Sequence, residues 1–187
     1  MKMAPWVLAL MVAIFLAQWA IPASIIWRFE TVLANGMVFK FKTQPVDPYD
    51  AFRGRYVALG FAQESVPWTW TDATQHSEHG QNLFALIEND TNGFARIKKL
   101  SAERPQTGDY IGVKIRYAMP PINFFVQLPF DRYYMNEKLA PAAEEAYRQH
   151  ARRGQQDAYV TVRVHNGRAV IEELYVAGKP IREFLKP

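Results

Sequence analysis

The stretch AYVTVRVHNGRAVIEELYV, residues 158–176, carries the strongest local signal in the chain. Two runs of alternating apolar and polar residues flank Asn166 and Gly167. An Asn-Gly pair favours the positive φ angles of a type I′ turn, which joins two strands through a two-residue loop. Successive side chains of a strand point to opposite sides, so Val160, Val162 and Val164 share one face. The stretch predicts a β-hairpin with one buried face.

Outward from this hairpin, the same period of two recurs along the chain. Further strands are predicted at 37–43, 55–61, 82–88, 94–100 and 107–117. Between them, 64–81 is polar and rich in turn formers, which predicts a long surface loop. The aromatic segment 120–135 is interrupted by prolines, which predicts an edge strand or an irregular stretch. With the hairpin, the pattern gives about eight strands.

One segment of the domain has a helical period instead. Residues 136–154 are predicted as a helix that Asn136 or a nearby residue caps, with Pro141 in the first turn and Gly154 at the end. The predicted fold class is therefore mainly β with one helix, closed as a small β-barrel or a β-sandwich.

The amino-terminal segment is apolar over a membrane's thickness. No charged residue occurs from Ala4 to Trp27, a run of 24 residues. A helix needs about 20 apolar residues to cross a bilayer. The sequence thus predicts a transmembrane anchor helix within residues 1–36 and a β-rich domain at 37–187. A cleaved signal peptide is the alternative, because Lys2 precedes the run and Ala23 and Ser24 are small. The run exceeds the roughly 7–15 residues of a signal peptide core, which favours an uncleaved anchor.

The charges beside the anchor give opposite indications of topology. Lys2 favours a cytoplasmic amino terminus, whereas Arg28, Lys40 and Lys42 follow the span. Long domains cross membranes largely regardless of such charges. We therefore expect a single-pass protein of the inner membrane, with its carboxy-terminal domain in the periplasm or otherwise outside the cytoplasm.

The anchor also offers a face for a second helix. Ala9, Ala13 and Ala17 recur every four residues and so lie along one side. Small side chains let helices approach closely in a membrane, and Gln18 is a polar group at membrane depth. This face is a candidate contact for an integral membrane partner, although alanine is common in any membrane helix.

Composition argues against several classes of function. The net charge is +4 without a basic run longer than two residues, so nucleic acid binding is not expected. The chain has no cysteine, which removes disulfides and thiol nucleophiles. His76 and His79 have a metal-ligand spacing but lie in the polar loop, and the serines lack a nucleophile turn. We expect no catalytic residue, no metal and no cofactor.

Trp68 and Trp70, two residues apart beside the polar loop, are candidate contacts for a ligand.

A second stretch of interest is PVDPYDAFRGRYVALGF at 45–61. It begins with prolines and aspartates that predict a turn, continues with Arg-Gly-Arg-Tyr, and ends in a run of alternating apolar residues. It resembles the signature of the GDYXXLXY family of membrane-associated bacterial proteins. The residues that fit the family pattern are Asp47, Pro48, Asp50, Arg53, Gly54, Tyr56 and Leu59. Two positions depart from it, because Arg55 replaces an acidic residue and Phe61 replaces a tyrosine. Later segments within 37–181 also resemble the family.

The resemblance implies an amino-terminal span followed by an exported β-rich domain, and it implies no catalytic residues. The leading hypothesis is therefore a non-enzymatic, membrane-tethered accessory or interaction subunit of an integral membrane protein. Two alternatives remain open. One is an envelope hydrolase with its site near Asp47, Arg53 and Tyr56. The other is a glycan- or peptide-binding module that uses Trp68 and Trp70.

Overall fold

The computed structural model describes residues 5–45, 56–68, 78–152, 154 and 156–186. The helices are α1 (Pro5–Asn35), α2 (Ala140–His150) and the short α3 (Ile181–Phe184), with a 3-10 turn at Ala62–Glu64. The strands, in chain order, are β1 (Met37–Gln44), β2 (Tyr56–Ala58), β3 (Gly60–Phe61), β4 (Ser65–Pro67), β5 (Asn82–Asn89), β6 (Ala95–Ser101), β7 (Tyr110–Met119), β8 (Asn123–Gln127), β9 (Arg132–Tyr134), β10 (Tyr159–His165), β11 (Arg168–Val176) and β12 (Lys179–Pro180). The domain is mainly β, as the sequence predicts.

The strands form two five-stranded antiparallel sheets and a separate pair. One sheet has the order β12-β11-β10-β1-β3, the other β4-β8-β7-β5-β6, and β2 pairs with β9. The two sheets meet where the tip of the 158–176 hairpin reaches β7. There the Gly112 amide donates to the Gly167 carbonyl at 2.9 Å. This bridge makes the assembly barrel-like.

The hairpin at 158–176 forms as predicted. Asn166 and Gly167 have φ angles of 50° and 79°, the positive values that a type I′ turn requires. Val160, Val162 and Val164 are buried on one face. The pairing register shifts between Thr161 and Val162, which marks a β-bulge that the alternation alone does not reveal. At this bulge, the Glu172 side chain pairs with Arg163, whereas the Glu173 side chain accepts a hydrogen bond from Tyr133.

The core lies between the sheets and under α2. Phe41 contacts the rings of Phe61 and Phe130 edge to face, with centroids 6.2 Å and 5.2 Å away. Phe61 and Phe130 also meet edge to face at 5.3 Å. From α2, Ala143 and Tyr147 pack into the same core, since they lie on the buried side of the helix. These rings join β1, β3 and the segment between β8 and β9 into one apolar interior.

Several sequence predictions are wrong in detail. The predicted strand at 55–61 is divided at Leu59, because β2 pairs with β9 whereas β3 pairs with β1. The predicted loop at 64–81 begins with β4, which pairs with β8. The predicted edge or irregular segment contains β8, which lies between β4 and β7 and is therefore an inner strand. Its prolines stand outside the paired residues Asn123–Gln127 and so remove no ladder hydrogen bond.

The predicted helix at 136–154 is shorter in the structure. Helix α2 begins at Ala140 and ends at His150, with Pro141 in its first turn. Asn136 lies in the preceding turn, where its side-chain oxygen accepts from the Lys138 amide at 3.0 Å. Helix α3 was not predicted, because four residues are too few to show a helical period.

Helix α1 runs without a break to Asn35, and its last turn is packed onto the domain. Val32 is only 2% exposed. The Gly36 amide donates to the Val32 carbonyl at 2.8 Å, and Arg163 donates to the Gly36 carbonyl at 3.3 Å. Residues Trp6–Asn35 form a helix that is long and apolar enough to cross a membrane. Helix α1 is thus joined to the first strand through a packed corner.

Candidate functional site

The part of the family-like stretch that the structure describes leads to a groove beside α1. Asp47, Pro48, Asp50, Arg53, Gly54 and Arg55 lie outside the described residues, so the site is built from Tyr56 onward. Val57, Leu59 and Phe61 are buried. Tyr56 precedes Val57 in β2, is half-buried, and belongs to the other side of the strand.

Tyr56 lies against two residues of β9. It is paired in register with Tyr134, and their ring centroids are 5.6 Å apart. The guanidinium of Arg132 lies 5.0 Å from the centre of the Tyr56 ring, a cation–π contact. A hydrogen bond with Tyr134 and the charge of Asp131 raise the pKa of Arg132. Arg132 therefore stays a cation, held by two tyrosines at the surface.

Tyr133, between these two residues, points to the opposite side of β9. Its hydroxyl donates to Glu173 Oε1 at 2.5 Å, and the same oxygen accepts from the Leu174 amide at 2.9 Å. Burial, and then the hydrogen bond with Glu173, raise the pKa of Tyr133 to about 12. Arg182 of α3 also reaches this hydroxyl. The phenol thus stays protonated and ties β9 to β11 and α3.

A groove of about 440 Å³ opens beside these residues. One wall is Phe29 of α1, and the others come from the 129–134 segment, β11 and α3. Its charged lining consists of Asp131, Arg132, Glu172 and Arg182. Glu172 is paired with Arg163 at 2.8 Å, and Asp131 lies 3.5 Å from Arg132. The groove, which we call the anchor groove, therefore presents both signs of charge beside the end of α1.

A second hollow of about 560 Å³ lies on the outer face of β5, β7 and β8. Gly112 has no side chain to fill this hollow, and Phe84, Lys114 and Asp131 are also part of its lining. Near Asp131, burial raises the pKa of Glu64 despite Arg116, whose guanidinium is 3.6 Å away. Asp131 adds to that rise through like charge. These carboxylates belong to different elements, and sequence reasoning nominated neither.

The remaining sequence candidates are dispersed. Trp68 stacks on Phe124 with ring centroids 4.4 Å apart, so one face of the indole is covered by the core, and Trp70 lies outside the described residues. Ala9, Ala13 and Ala17 are exposed on α1. His79 Nδ1 donates to the Arg116 carbonyl at 2.5 Å, and His76 is not described. In the described part of the chain, no three His, Asp or Glu side chains are grouped as metal ligands.

Sequence reasoning found Tyr56 but missed its surroundings. Arg132 and Tyr133 come from the three-residue strand β9 and Arg182 from a four-residue helix, and elements this short do not reveal which side chains meet. The available signal was the Arg-Tyr-Tyr run at 132–134, whose alternation places Arg132 and Tyr134 on one face and Tyr133 on the other.

Together, the apolar helix and the barrel-like domain define a β-rich protein with one candidate membrane span. A family model described as GDYXXLXY protein matches residues 18–174, which is most of the chain. The chain therefore belongs to the GDYXXLXY family. No curated protein and no solved structure matches it.

Proposed function

We propose that this protein is a membrane-tethered, non-enzymatic accessory subunit of an integral membrane protein, with its β-rich domain outside the cytoplasm. The observation that carries the proposal is the packed corner between α1 and the domain. A flexible linker would let the domain move freely, whereas Val32, Gly36 and Arg163 fix the helix against it. A subunit that must present one face to a membrane partner needs such a fixed orientation.

The exposed surface of α1 supports the same proposal. Its membrane-level side chains are exposed, and Trp19 and Trp27 are 66% and 76% exposed. The face with Ala9, Ala13 and Ala17 lets a second helix approach. An integral membrane protein is the partner that both features suit.

Affinity purification of the full chain in mild detergent tests the proposal. We expect an integral membrane protein to be recovered in stoichiometric amount. Exchange of Ala9, Ala13 and Ala17 for leucine should reduce that recovery, because bulk on this face separates the helices. The matched control exchanges Met11 and Phe15, on the other side of α1, for leucine. Recovery of the wild-type chain alone would overturn the proposal.

The topology has an independent test, because the chain has no cysteine. A single Lys98→Cys substitution places a thiol on β6, where the lysine side chain is 60% exposed. A membrane-impermeant maleimide should label this variant in intact spheroplasts. Labelling only after lysis would place the domain in the cytoplasm instead.

A further inference from the structure

The anchor groove lies at the depth of lipid headgroups if α1 is the anchor proposed above. A helix rises about 1.5 Å per residue, so Phe29 is about 3 Å and Val32 about 8 Å beyond Trp27 along the axis. A bilayer's hydrocarbon core of about 30 Å within a total of about 40–45 Å leaves roughly 5–8 Å of headgroups on each side. Phe29, in the wall of the groove, therefore stands within the headgroup layer.

The charges of the groove match a ligand with both signs. Two cations, Arg132 and Arg182, and two anions, Asp131 and Glu172, line it. Guanidinium groups bind phosphate through paired N–H donors. Carboxylates accept N–H hydrogen bonds from an ammonium, and the ring of Tyr134 in the lining can attract a cation. Asp131 and Glu172 already lie beside Arg132 and Arg163, and the two cations and two anions of the lining balance. A zwitterionic headgroup keeps that balance, whereas a purely anionic headgroup would add an uncompensated negative charge.

We propose that the anchor groove binds the headgroup of a membrane phospholipid that carries a phosphodiester and a primary ammonium, as phosphoethanolamine does. Arg132 and Arg182 hold the phosphodiester, and Glu172 and Asp131 receive the ammonium. The acyl chains extend along the exposed apolar surface of α1, where Ile26 and Trp27 are 61% and 76% exposed. The bound lipid fixes the depth of the domain at the bilayer surface. This inference rests on α1 as a membrane anchor but not on the identity of any protein partner.

The test reconstitutes the full chain into nanodiscs that contain phosphatidylethanolamine, phosphatidylcholine and phosphatidylglycerol in equal amounts. Lipids retained by the protein after release into mild detergent are then counted by native mass spectrometry. We expect one phosphatidylethanolamine per chain, enriched about ten-fold over the other two lipids, which corresponds to about 1.4 kcal/mol. Equal retention of the three lipids would overturn the proposal. Failure of the chain to enter nanodiscs would overturn the anchor itself, a distinguishable result.

Substitutions of the charged residues in the anchor groove test whether they form the lipid site. Arg182→Gln and Arg132→Gln should each lower phosphatidylethanolamine retention at least five-fold. Glu172→Gln should remove the preference over phosphatidylglycerol while leaving a lipid bound. The control is Arg96→Gln, an exposed arginine on β6 that is paired with Glu88. Retention by both groove arginine variants at the wild-type level would contradict the proposed site.

A competition arm separates a lipid from a free phosphate and does not depend on the folding of any variant. Glycerophosphoethanolamine, added to the wild-type chain in detergent, should displace the retained lipid in proportion to its concentration. Inorganic phosphate should displace it at least ten-fold less effectively. Equal displacement by inorganic phosphate would show a simple phosphate site and would overturn the lipid assignment.

Discussion

The hydroxyl of Tyr147, in the middle of α2, donates a hydrogen bond of 2.6 Å to the carbonyl of Gln44 at the end of β1. The same oxygen accepts from the Gly60 amide of β3 at 3.4 Å. Beside it, the Thr43 hydroxyl donates to the Ala158 carbonyl at 2.9 Å, at the start of β10. One phenol thus closes the corner between the helix, the end of β1 and strand β3 in the family-like stretch.

Tyr147→Phe should lower the free energy of unfolding by about 1–2 kcal/mol, because the Gln44 carbonyl and the Gly60 amide both lose a partner at a part-buried contact. For a domain of this size, that loss should lower the melting temperature by roughly 2–8 °C. Tyr117→Phe is the matched control, since Tyr117 is 47% exposed and its change should cost less than about 0.5 kcal/mol. Thermal unfolding of the full chain in detergent measures both. Equal melting of Tyr147→Phe and wild type would contradict this role.

The same phenol makes stability depend on alkaline pH. Burial raises the pKa of Tyr147 to about 12, from 10.0 in an unfolded chain. Its contribution is therefore complete below pH 10 and is lost as the pH rises through the folded pKa, because the unfolded state releases its proton first. The loss approaches about 1.4 kcal/mol per pH unit in that window.

Tyr147→Phe removes this contribution, so the stability difference between wild type and variant should shrink by about 1.4 kcal/mol from pH 9 to pH 11. Tyr133, whose pKa is also raised to about 12, keeps some alkaline sensitivity in the variant. Denaturant unfolding at the two pH values measures the difference. A difference that stays constant would show that Tyr147 does not titrate in this window.

Phe61 is a second point at which the family-like stretch can be tested. It is 3% exposed and is surrounded by the rings of Phe41 and Phe130. Phe61→Tyr, which restores the family's residue, should destabilise this chain by about 1–3 kcal/mol, because the new hydroxyl has no partner among those rings. Phe125→Tyr is the control, since that ring is half-buried and stacks on the exposed Tyr117. Unchanged stability of Phe61→Tyr would show that its hydroxyl finds a partner.

The sequence predicts strands well where one face is buried and the other is solvated. This holds for β1 and for the hairpin at 158–176, whose turn residues also select the turn type. It fails where prolines flank a short inner strand and where the pairing partner changes within a run. The prolines around β8 predict irregular structure, yet its five residues pair with β7 and three of them also pair with β4. The alternation at 55–61 predicts one continuous strand because it does not reveal that Leu59 is the corner.

The site was less predictable than the fold, for a related reason. Tyr56 belongs to a local motif, but its neighbours Arg132 and Tyr134 reach it through strand pairing. Arg182 joins the lining of the groove from a helix of four residues. Long-range proximity of this kind leaves no period in a single sequence. The groove also needs the docking of α1, which places Phe29 beside β11, and nothing in the apolar run specifies that angle.

The corner between span and domain is itself testable at Gly36. A methyl group there would lie 2.5 Å from the Val32 carbonyl oxygen and 3.0 Å from the Val164 amide nitrogen, and neither backbone atom can move aside alone. Gly36→Ala should therefore cost about 1–3 kcal/mol by overpacking and should loosen α1 from β10.

Limited proteolysis of the full chain in nanodiscs detects that loosening as faster cleavage between residues 33 and 38, and melting measures the stability. Gly112→Ala is the matched control, because its added methyl group would lie at an ordinary 3.6 Å from the Gly167 carbonyl oxygen. We expect cleavage at the junction to accelerate in Gly36→Ala alone. Cleavage at the wild-type rate in Gly36→Ala would mean that the helix and the domain are not held by this corner, and the fixed orientation that supports the proposed accessory role would lose its structural basis.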